Sequence, residues 1–471
     1  MNRVTRRGFL GSAAAPWIAR ASAGRRPNIL VFIADDLSYT EAGYVEDRPT
    51  VMPNIGSLAG RSVLFNRAFT ATAMCAPMRQ QMYTGIFPVR NGAYPNHSQI
   101  KPGIKTWPSY FLELGYRVGL AGKRHFGPRE AYPFEYLPDG QELDFGAIEE
   151  FVRRNPKEPY CLFVCSHQPH APHDKGDPSR FPIDRIRVPD YWVDTPLTRK
   201  TLAAYYAECE HLDWEVGRCR EIVRKSGKEA DTIFAFCSEQ GSGFPFAKWT
   251  LYDLGVREAA FIHWPRRIPR GVMVHAIVQA VDWLPTLLEA AGGTPPEEID
   301  GRSFLPVLLG KAHRHAPYAY GVHTTRGIIN GSDCYPIRSI RTERYKLILN
   351  LNHEAEFSNA VTRPDRYNYW DTWVEQAKTD PAARRIVDRY LHRPAEEFYD
   401  LWEDPFEQRN LAGRPQYRRR IEEMKKRLFE WMESQGDRGV ETEMLVKPRP
   451  LKQVRNRPGA PRVPSGSEAR R

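Results

Sequence analysis

Four short polar clusters each follow an apolar run: Asp35-Asp36, Gly122-Lys123-Arg124-His125, Ser166-His167-Gln168-Pro169-His170-Ala171-Pro172-His173 and Ser238-Glu239-Gln240-Gly241. Carboxylate and amide oxygens suit a hard divalent cation, which takes several oxygen ligands. Lysine and histidine suit an anionic substrate, because fixed cations hold its charge and a histidine can move its proton. A fifth segment, Cys75-Ala76-Pro77-Met78-Arg79, adds a thiol with an arginine in register. Each cluster also has a plainer reading. Asp35-Asp36 could cap a turn, Lys123 and Lys248 could be solvated, and Cys75 could be a buried thiol. His167, His170 and His173 raise the question of zinc, but Pro169 and Pro172 interrupt them and no helix brings them to one face.

The elements that must position these residues read as alternating strands and helices. Asn28–Ile33, Tyr116–Ala121, Tyr160–Cys165, Thr232–Phe236 and Ala260–Trp264 are apolar, β-branched or aromatic on both faces, which suits buried parallel strands. Residues 199–222 space their apolar positions as a helix does. The pattern predicts an α/β fold with a large, mostly parallel sheet sandwiched by helices. Open parallel sheets bind ligands beyond the carboxyl ends of their strands. Four of the predicted strands run into the four clusters, so one shared polar site is expected there. Beyond residue 310 the pattern changes: 336–350 reads as a hairpin with a charged turn and 421–431 as an amphipathic helix, together a smaller C-terminal α+β domain.

The formal charge of +11 over 471 residues is concentrated at the ends. Residues 1–23 carry four arginines and no acid, and residues 447–471 carry a net +7 in a Pro-rich run with little to bury. The rest of the chain is neutral, so no nucleic-acid partner is implied. The start, with Arg6-Arg7, a short apolar stretch and Ala21-Ser22-Ala23, looks like a twin-arginine export signal. Pro16 and Arg20 break that stretch and no later one is long enough to span a bilayer, so no integral membrane segment is expected. The expected organisation is a signal peptide at 1–23, a catalytic domain at 24–314, the small domain at 315–440 and a basic disordered tail at 441–471. Seven cysteines without a C-x-x-C pair do not make a disulfide scaffold; Cys161, Cys165 and Cys237 lie in apolar runs and read as buried hydrophobes.

C-x-P-x-R at 75–79 is the pattern recognised by the enzyme that oxidises sulfatase cysteines to formylglycine, and here the sequence resembles the sulfatase family, of alkaline phosphatase-like fold. RPNILVFIADD, CAPMRQQMYTGIFPVRNGAY, GKRHFG, SHQPHAP, KWTLYDLGVRE and FYDLWEDPFEQRNLA carry the resemblance in order, over nearly the whole mature chain. The resemblance implies a nucleophile made from Cys75, a hydrated aldehyde with two geminal oxygens: one attacks sulfur, and the other expels sulfate afterwards. It assigns calcium, with magnesium as the alternative, to Asp35, Asp36, Glu239, Gln240 and residue 75. Glu239-Gln240 departs from the commoner Asp-Asn or Asp-His pair, each side chain being one methylene longer. Arg79, Lys123 and Lys248 match the residues that support the nucleophile and clamp sulfate. His170 matches the histidine that protonates the leaving group, and His125 the one that contacts the nucleophile's hydroxyl.

Within the family, NGAYPNHS, GVH323, YPIRSIRTERYKLILNLN and YDLWEDP are most similar to the heparan N-sulfatase (sulfamidase) type. This implies a glycosaminoglycan-type or other sulfated sugar as substrate, hydrolysed at a sulfate ester or sulfamate, with His323 joining Lys123 and Lys248 in binding it. Tyr39, Trp249 and Tyr252 could stack on sugar rings, though buried packing explains them equally well. The implied partners are the formylglycine-generating enzyme and the twin-arginine export machinery, and the implied location is periplasmic or secreted in a bacterium. A phosphonate or phosphodiester hydrolase of the same superfamily and a non-catalytic binder of sulfated glycans are the alternatives. Oligomeric state, sulfate position and exo or endo action are left open.

Overall fold

The strand β1, Asn28–Ala34, is buried along its whole length. Its alternate side chains enter two different cores, Leu30, Phe32 and Ala34 on one face and Ile29, Val31 and Ile33 on the other. Only a sheet covered on both sides accommodates such a strand. The computed structural model describes residues 26–45, 50–138, 140–268, 271–328, 330–362 and 369–447, so the expected signal peptide and residues 448–471 of the expected tail lie outside the described residues.

The remaining strands of this sheet are β2 (Val63–Phe65), β3 (Arg117–Gly122), β4 (Glu135–Tyr136), β5 (Tyr160–Cys165), β6 (Thr232–Ser238), β7 (Ala260–His263) and β8 (Val272–Val274). Their spatial order is β8-β2-β7-β6-β1-β5-β3-β4. The four strands that precede polar clusters are therefore contiguous, β6-β1-β5-β3, and mutually parallel, so all four clusters emerge at one sheet end. The fifth expected parallel strand, β7, is instead antiparallel to both its neighbours. Between β6 and β7 the described chain holds one short helix, Asp253–Val256, and the short strand Arg257–Glu258. Without a long crossover the chain re-enters the sheet from the end it left.

Helix α1 (Cys75–Thr84) packs Met78, Met82 and Tyr83 into one of the two cores. Helix α2 (Pro196–Lys225) covers the opposite face with Leu202, Tyr205, Leu212 and Val216. Pro196 in its first turn and the Thr195 side chain, which accepts from the Thr198 N–H, fix where α2 starts.

A four-stranded antiparallel meander follows, β9 (Ala319–His323), β10 (Ile337–Arg341), β11 (Tyr345–Asn350) and β12 (Glu396–Asp400). The expected hairpin is β10-β11, turning at Thr342–Arg344. Helix α3 (Arg418–Ser434) lays Ile421, Met424, Leu428 and Trp431 on Val322, Ile340, Leu347 and Phe398. The other face contributes Ile337, Ile348 and Tyr399 to the core of the large domain. Buried Lys346 ties the two parts together, 2.8 Å from Asp253 and 2.9 Å from Glu407.

The expected boundary at 441 falls too early. Helix α4 (Val440–Met444) is part of the fold: Glu443 is fully buried and accepts from the Thr325 and Arg326 N–H groups and the Thr325 hydroxyl. Its carboxylate caps backbone donors of the β9–β10 loop, which the surrounding basic composition conceals. No described helix is long and apolar enough to cross a membrane, and all seven cysteines are free.

Candidate active site

Cys75 opens α1 from an extended Met74, which puts its side chain at the helix N-terminus and at the shared sheet end. Its Sγ lies 3.6 Å from Asp35 Oδ1, and the Gln240 amide donates to it at 3.1 Å. Asp35 and Asp36 leave β1, Glu239 and Gln240 leave β6, and all four are buried. Ligand atoms of Asp35, Asp36, Cys75 and Glu239 lie within 4.8 Å of one another. Three carboxylates in so small a volume would repel strongly without cations among them. Lys123 ion-pairs with Asp35 and, at 3.2 Å, with Glu239. Arg79 Nε pairs with Glu239 Oε2 at 2.6 Å, and Lys248 Nζ with Asp36 Oδ1 at 2.7 Å. Burial opposes ionisation of Asp35, but Lys123 and His170 outweigh it and hold the carboxyl below its ordinary range; Lys248 and His170 do the same for Asp36.

These donors fit a hard divalent ion. Gln240 Nε2 donates to Asp36 at 2.7 Å and to Glu239 at 2.9 Å, while its Oε1 is buried with no partner. Turning the amide over would aim that orphaned oxygen into the carboxylate cluster, as an oxygen-seeking cation requires. The extra methylene in Glu239 and Gln240 leaves both within reach. Zinc is not favoured: among the described residues, His170 joins a candidate ligand group only with Asp35 and Cys75, and His167 and His173 join none.

His170 Nδ1 lies 2.6 Å from the Ala171 carbonyl. A carbonyl only accepts, so Nδ1 carries the hydrogen and Nε2 faces Asp36 Oδ2 at 3.8 Å. Burial, then Lys248, lowers the affinity of this ring for a second proton. The His170 loop is clamped to α2 at both ends. Ser166 donates to the buried Glu215 carboxyl at 2.5 Å, and the Lys175 N–H donates to Glu208 at 2.8 Å. His173 packs edge-on against Tyr205, a packing role. Tyr205 in turn donates to the Asp36 carbonyl at 3.2 Å.

His125 follows Lys123 on the β3 loop and meets His97, a residue to which the sequence reading gave no role, at 2.9 Å between Nε2 and Nδ1. Nothing in the spacing of His97 could have shown this, because the contact joins two loops. Burial, then Lys123 and His97, pushes His125 down to about 2.

His323 is not tied to the carboxylate cluster by any described hydrogen bond or ion pair. It is fully buried, with both ring nitrogens unpartnered, and its charged neighbours are Arg393 and Arg338. Substrate contact from there would need the interior to open. Tyr252 donates to Glu397 at 2.6 Å deep in the domain contact, and the Arg257 guanidinium lies over the Tyr39 ring. These two rings therefore serve packing. Trp249 is 7% exposed. A cavity of about 860 Å³ lies between Tyr191, Tyr206 and Phe406 and contains none of the residues of the cluster.

Residues 27–293 match the sulfatase family model, and residues 241–368 match the model of the N-sulphoglucosamine sulphohydrolase C-terminal region. An ulvan-active sulfatase of Formosa agariphila is 33% identical over 425 residues, 88% of this chain and 81% of that one. The N-sulphoglucosamine sulphohydrolase of Homo sapiens is 27% identical over 458 residues, 86% of this chain and 90% of that one. In fold, the chain is similar to a protein solved in complex with its substrate D-glucosamine-2-N,6-O-disulfate, with a TM-score of 0.71, 19% identity, and coverage of 88% of this chain and 99% of that one. A cysteine at a helix start among three buried carboxylates, with three cations paired to them, sits where the family model matches, and the chain belongs to the sulfatase family.

Proposed function

We propose that this sulfuric ester hydrolase acts on a sulfate ester or sulfamate of a sulfated sugar, with formylglycine made from Cys75 as nucleophile and one calcium ion, magnesium being the alternative, at Asp35, Asp36, Glu239 and Gln240. The observation that carries the reading is the contact of residue 75 with a buried three-carboxylate, three-cation cluster. As a thiol, Cys75 is a poor nucleophile there, since burial and then Glu239 push its proton affinity up. Formylglycine and the ion together supply an oxygen nucleophile that is released again after sulfate transfer.

The chain's own residues do the rest. Asp35 and Asp36 would hold the divalent ion, whose charge would add to that of Lys123, Lys248 and Arg79 and leave the site net positive for an anionic ester. Arg79 holds Glu239 in place from α1. His170 Nε2 is the nitrogen free to carry a proton to the departing oxygen, while Ala171 fixes the ring. Sugars carrying N- or O-sulfate are the favoured substrates because relatives matching most of the chain are named for ulvan and for N-sulphoglucosamine. The Arg6-Arg7 leader supports export by the twin-arginine route to the periplasm or beyond, after oxidation of Cys75 by a formylglycine-generating enzyme in the cytoplasm.

Mass spectrometry of the tryptic peptide 68–79 from the native host tests the mechanism. An aldehyde at residue 75 is expected, and an intact thiol in fully active protein overturns it. Rates on p-nitrophenyl sulfate, a p-nitrophenyl phosphate diester and N-sulfated glucosamine test the substrate class. A dominant diesterase rate would sink the sulfated-sugar reading.

A further inference from the structure

The cavity between Tyr191, Tyr206 and Phe406 has no part in the mechanism above, yet its walls are extensions of the segments that build the site. Thr40, in its lining, is four residues beyond Asp36 and so at most about 14 Å from it along the chain. Residues 180–191 continue the connection that carries His170, and Phe406 and Gln408 come from the chain after β12. At about 860 Å³, between the two parts of the fold, the cavity has the size and the place of a ligand site, for which about 300–1,000 Å³ is usual. A further cavity of about 550 Å³ shares Asp190 and Gln408 with it and adds Arg385. The opening is therefore elongated, which suits a chain of rings better than a single one.

The chemistry of the lining is mixed. Tyr191 and Phe406 lie 5.0 Å apart between ring centroids and supply an apolar face. Along 185–188 burial alternates: Ile186 and Val188 are buried, whereas Arg185 and Arg187 are exposed and line the cavity. Among the described residues neither guanidinium has an ion pair or a hydrogen-bond partner, while the nearby Arg180 is paired with Glu210. Carboxylates of Glu41, Asp190 and Asp404 line the same space. A ligand that is only anionic would meet these acids, and a neutral sugar would leave the arginines without work. A sulfated sugar matches both, because a guanidinium fork fits the oxygens of a tetrahedral oxyanion and a carboxylate accepts from hydroxyls.

We propose that this cavity is a second saccharide-binding site, in which Arg185 and Arg187 hold an anionic group on a further unit of the sulfated saccharide and the Tyr191–Phe406 pair packs against its ring. The inference rests on the sulfated-sugar reading and adds to it that the substrate is an oligosaccharide, bound at both places at once.

The test is steady-state kinetics of the full-length, formylglycine-bearing enzyme on p-nitrophenyl sulfate and on ulvan and heparan sulfate oligosaccharides of graded length. In the unaltered enzyme KM should fall about 10-fold from disaccharide to tetrasaccharide. The double substitution Arg185→Gln and Arg187→Gln should raise KM for the tetrasaccharide about 10-fold, with kcat within about two-fold and p-nitrophenyl sulfate kinetics unchanged, the signature of lost binding that ground and transition states share. Arg185→Lys with Arg187→Lys keeps the charge without the fork and should lose less. Calorimetric titration of full-length Cys75→Ser protein with the same tetrasaccharides reads the cavity without turnover, and the double substitution should weaken binding by a similar factor. Unchanged KM and Kd in the double variant, a rise in KM shared equally by p-nitrophenyl sulfate, or binding of neither tetrasaccharide would each overturn the proposal. Tetrasaccharide binding that depends on Arg185 and Arg187, in an enzyme that turns over no sulfated substrate, would support this site and sink the sulfatase reading instead.

Discussion

Lys248 and Asp36 are almost wholly buried and 2.7 Å apart. Breaking a buried pair from one side strands the other charge, which typically costs about 3–5 kcal/mol. Lys248→Ala is therefore expected to lower the melting temperature markedly and, through loss of charge stabilisation at sulfate, to cut kcat by roughly 100-fold. The two effects separate on adding calcium. The ion can neutralise Asp36, so saturating calcium should recover much of the stability in a thermal-shift assay and little of the turnover. In the unaltered protein, chelation should lower the melting temperature, since a bound ligand at about 100 times its Kd adds about 2.7 kcal/mol. Equal melting curves with and without chelator and calcium would remove the ion from the site.

Helix α2 and the loop it carries form the next level. Glu215, beneath Ser166, is pushed up to about 8 by burial, and Glu208, beneath Lys175, to about 7. In the folded protein each binds its proton well above the ordinary glutamate range, so the fold holds more protons than the unfolded chain between about pH 4.5 and these values. Stability from these groups is complete below that window and falls as pH rises through it, by up to roughly 1.4 kcal/mol per pH unit for each group. Glu215→Gln keeps a partner for Ser166 and removes the titration. Its melting temperature should decline less between pH 6 and pH 8.5 than that of the parent, with kcat near normal. Glu215→Ala, which releases one end of the His170 loop, should lower kcat several-fold. Parallel pH profiles of parent and Glu215→Gln would refute this account of the clamp.

Over the whole molecule, the eight-stranded and four-stranded sheets meet through a polar knot as well as an apolar core. Lys346, on β11, is the cation between Asp253, on the site-bearing β6–β7 connection, and Glu407 after β12. Lys346→Met leaves two buried carboxylates facing each other. A loss of about 3–5 kcal/mol is expected by denaturant titration, largest at high pH where both acids ionise. Glu443 plays the corresponding part for the C-terminus: Glu443→Ala leaves three donors of the β9–β10 loop unsatisfied and should cost about 1–3 kcal/mol, whereas removal of residues 448–471 keeps this anchor and should spare stability.

The sequence alone determined that four buried parallel strands end in polar clusters that share one site, because strands apolar on both faces have one place to go and parallel strands deliver their next residues to one edge; their order, β6-β1-β5-β3, came from the fold. It did not determine the direction of β7, whose apolar run is the same read from either end; the missing crossover decides that only once the chain is folded. The fate of His323 was equally hidden. A histidine at a strand end reads as available, and its burial beside Arg338 and Arg393 comes from its neighbours within its own sheet and the chain leading into β12. The His97–His125 contact, the Glu208 and Glu215 clamp and the capping by Glu443 join residues distant in the chain, and each is a hydrogen bond between loops or between a loop and a helix. Residue type and order fix what a side chain can do chemically and which strand end presents it. Which partner it meets depends on distances that exist only after packing.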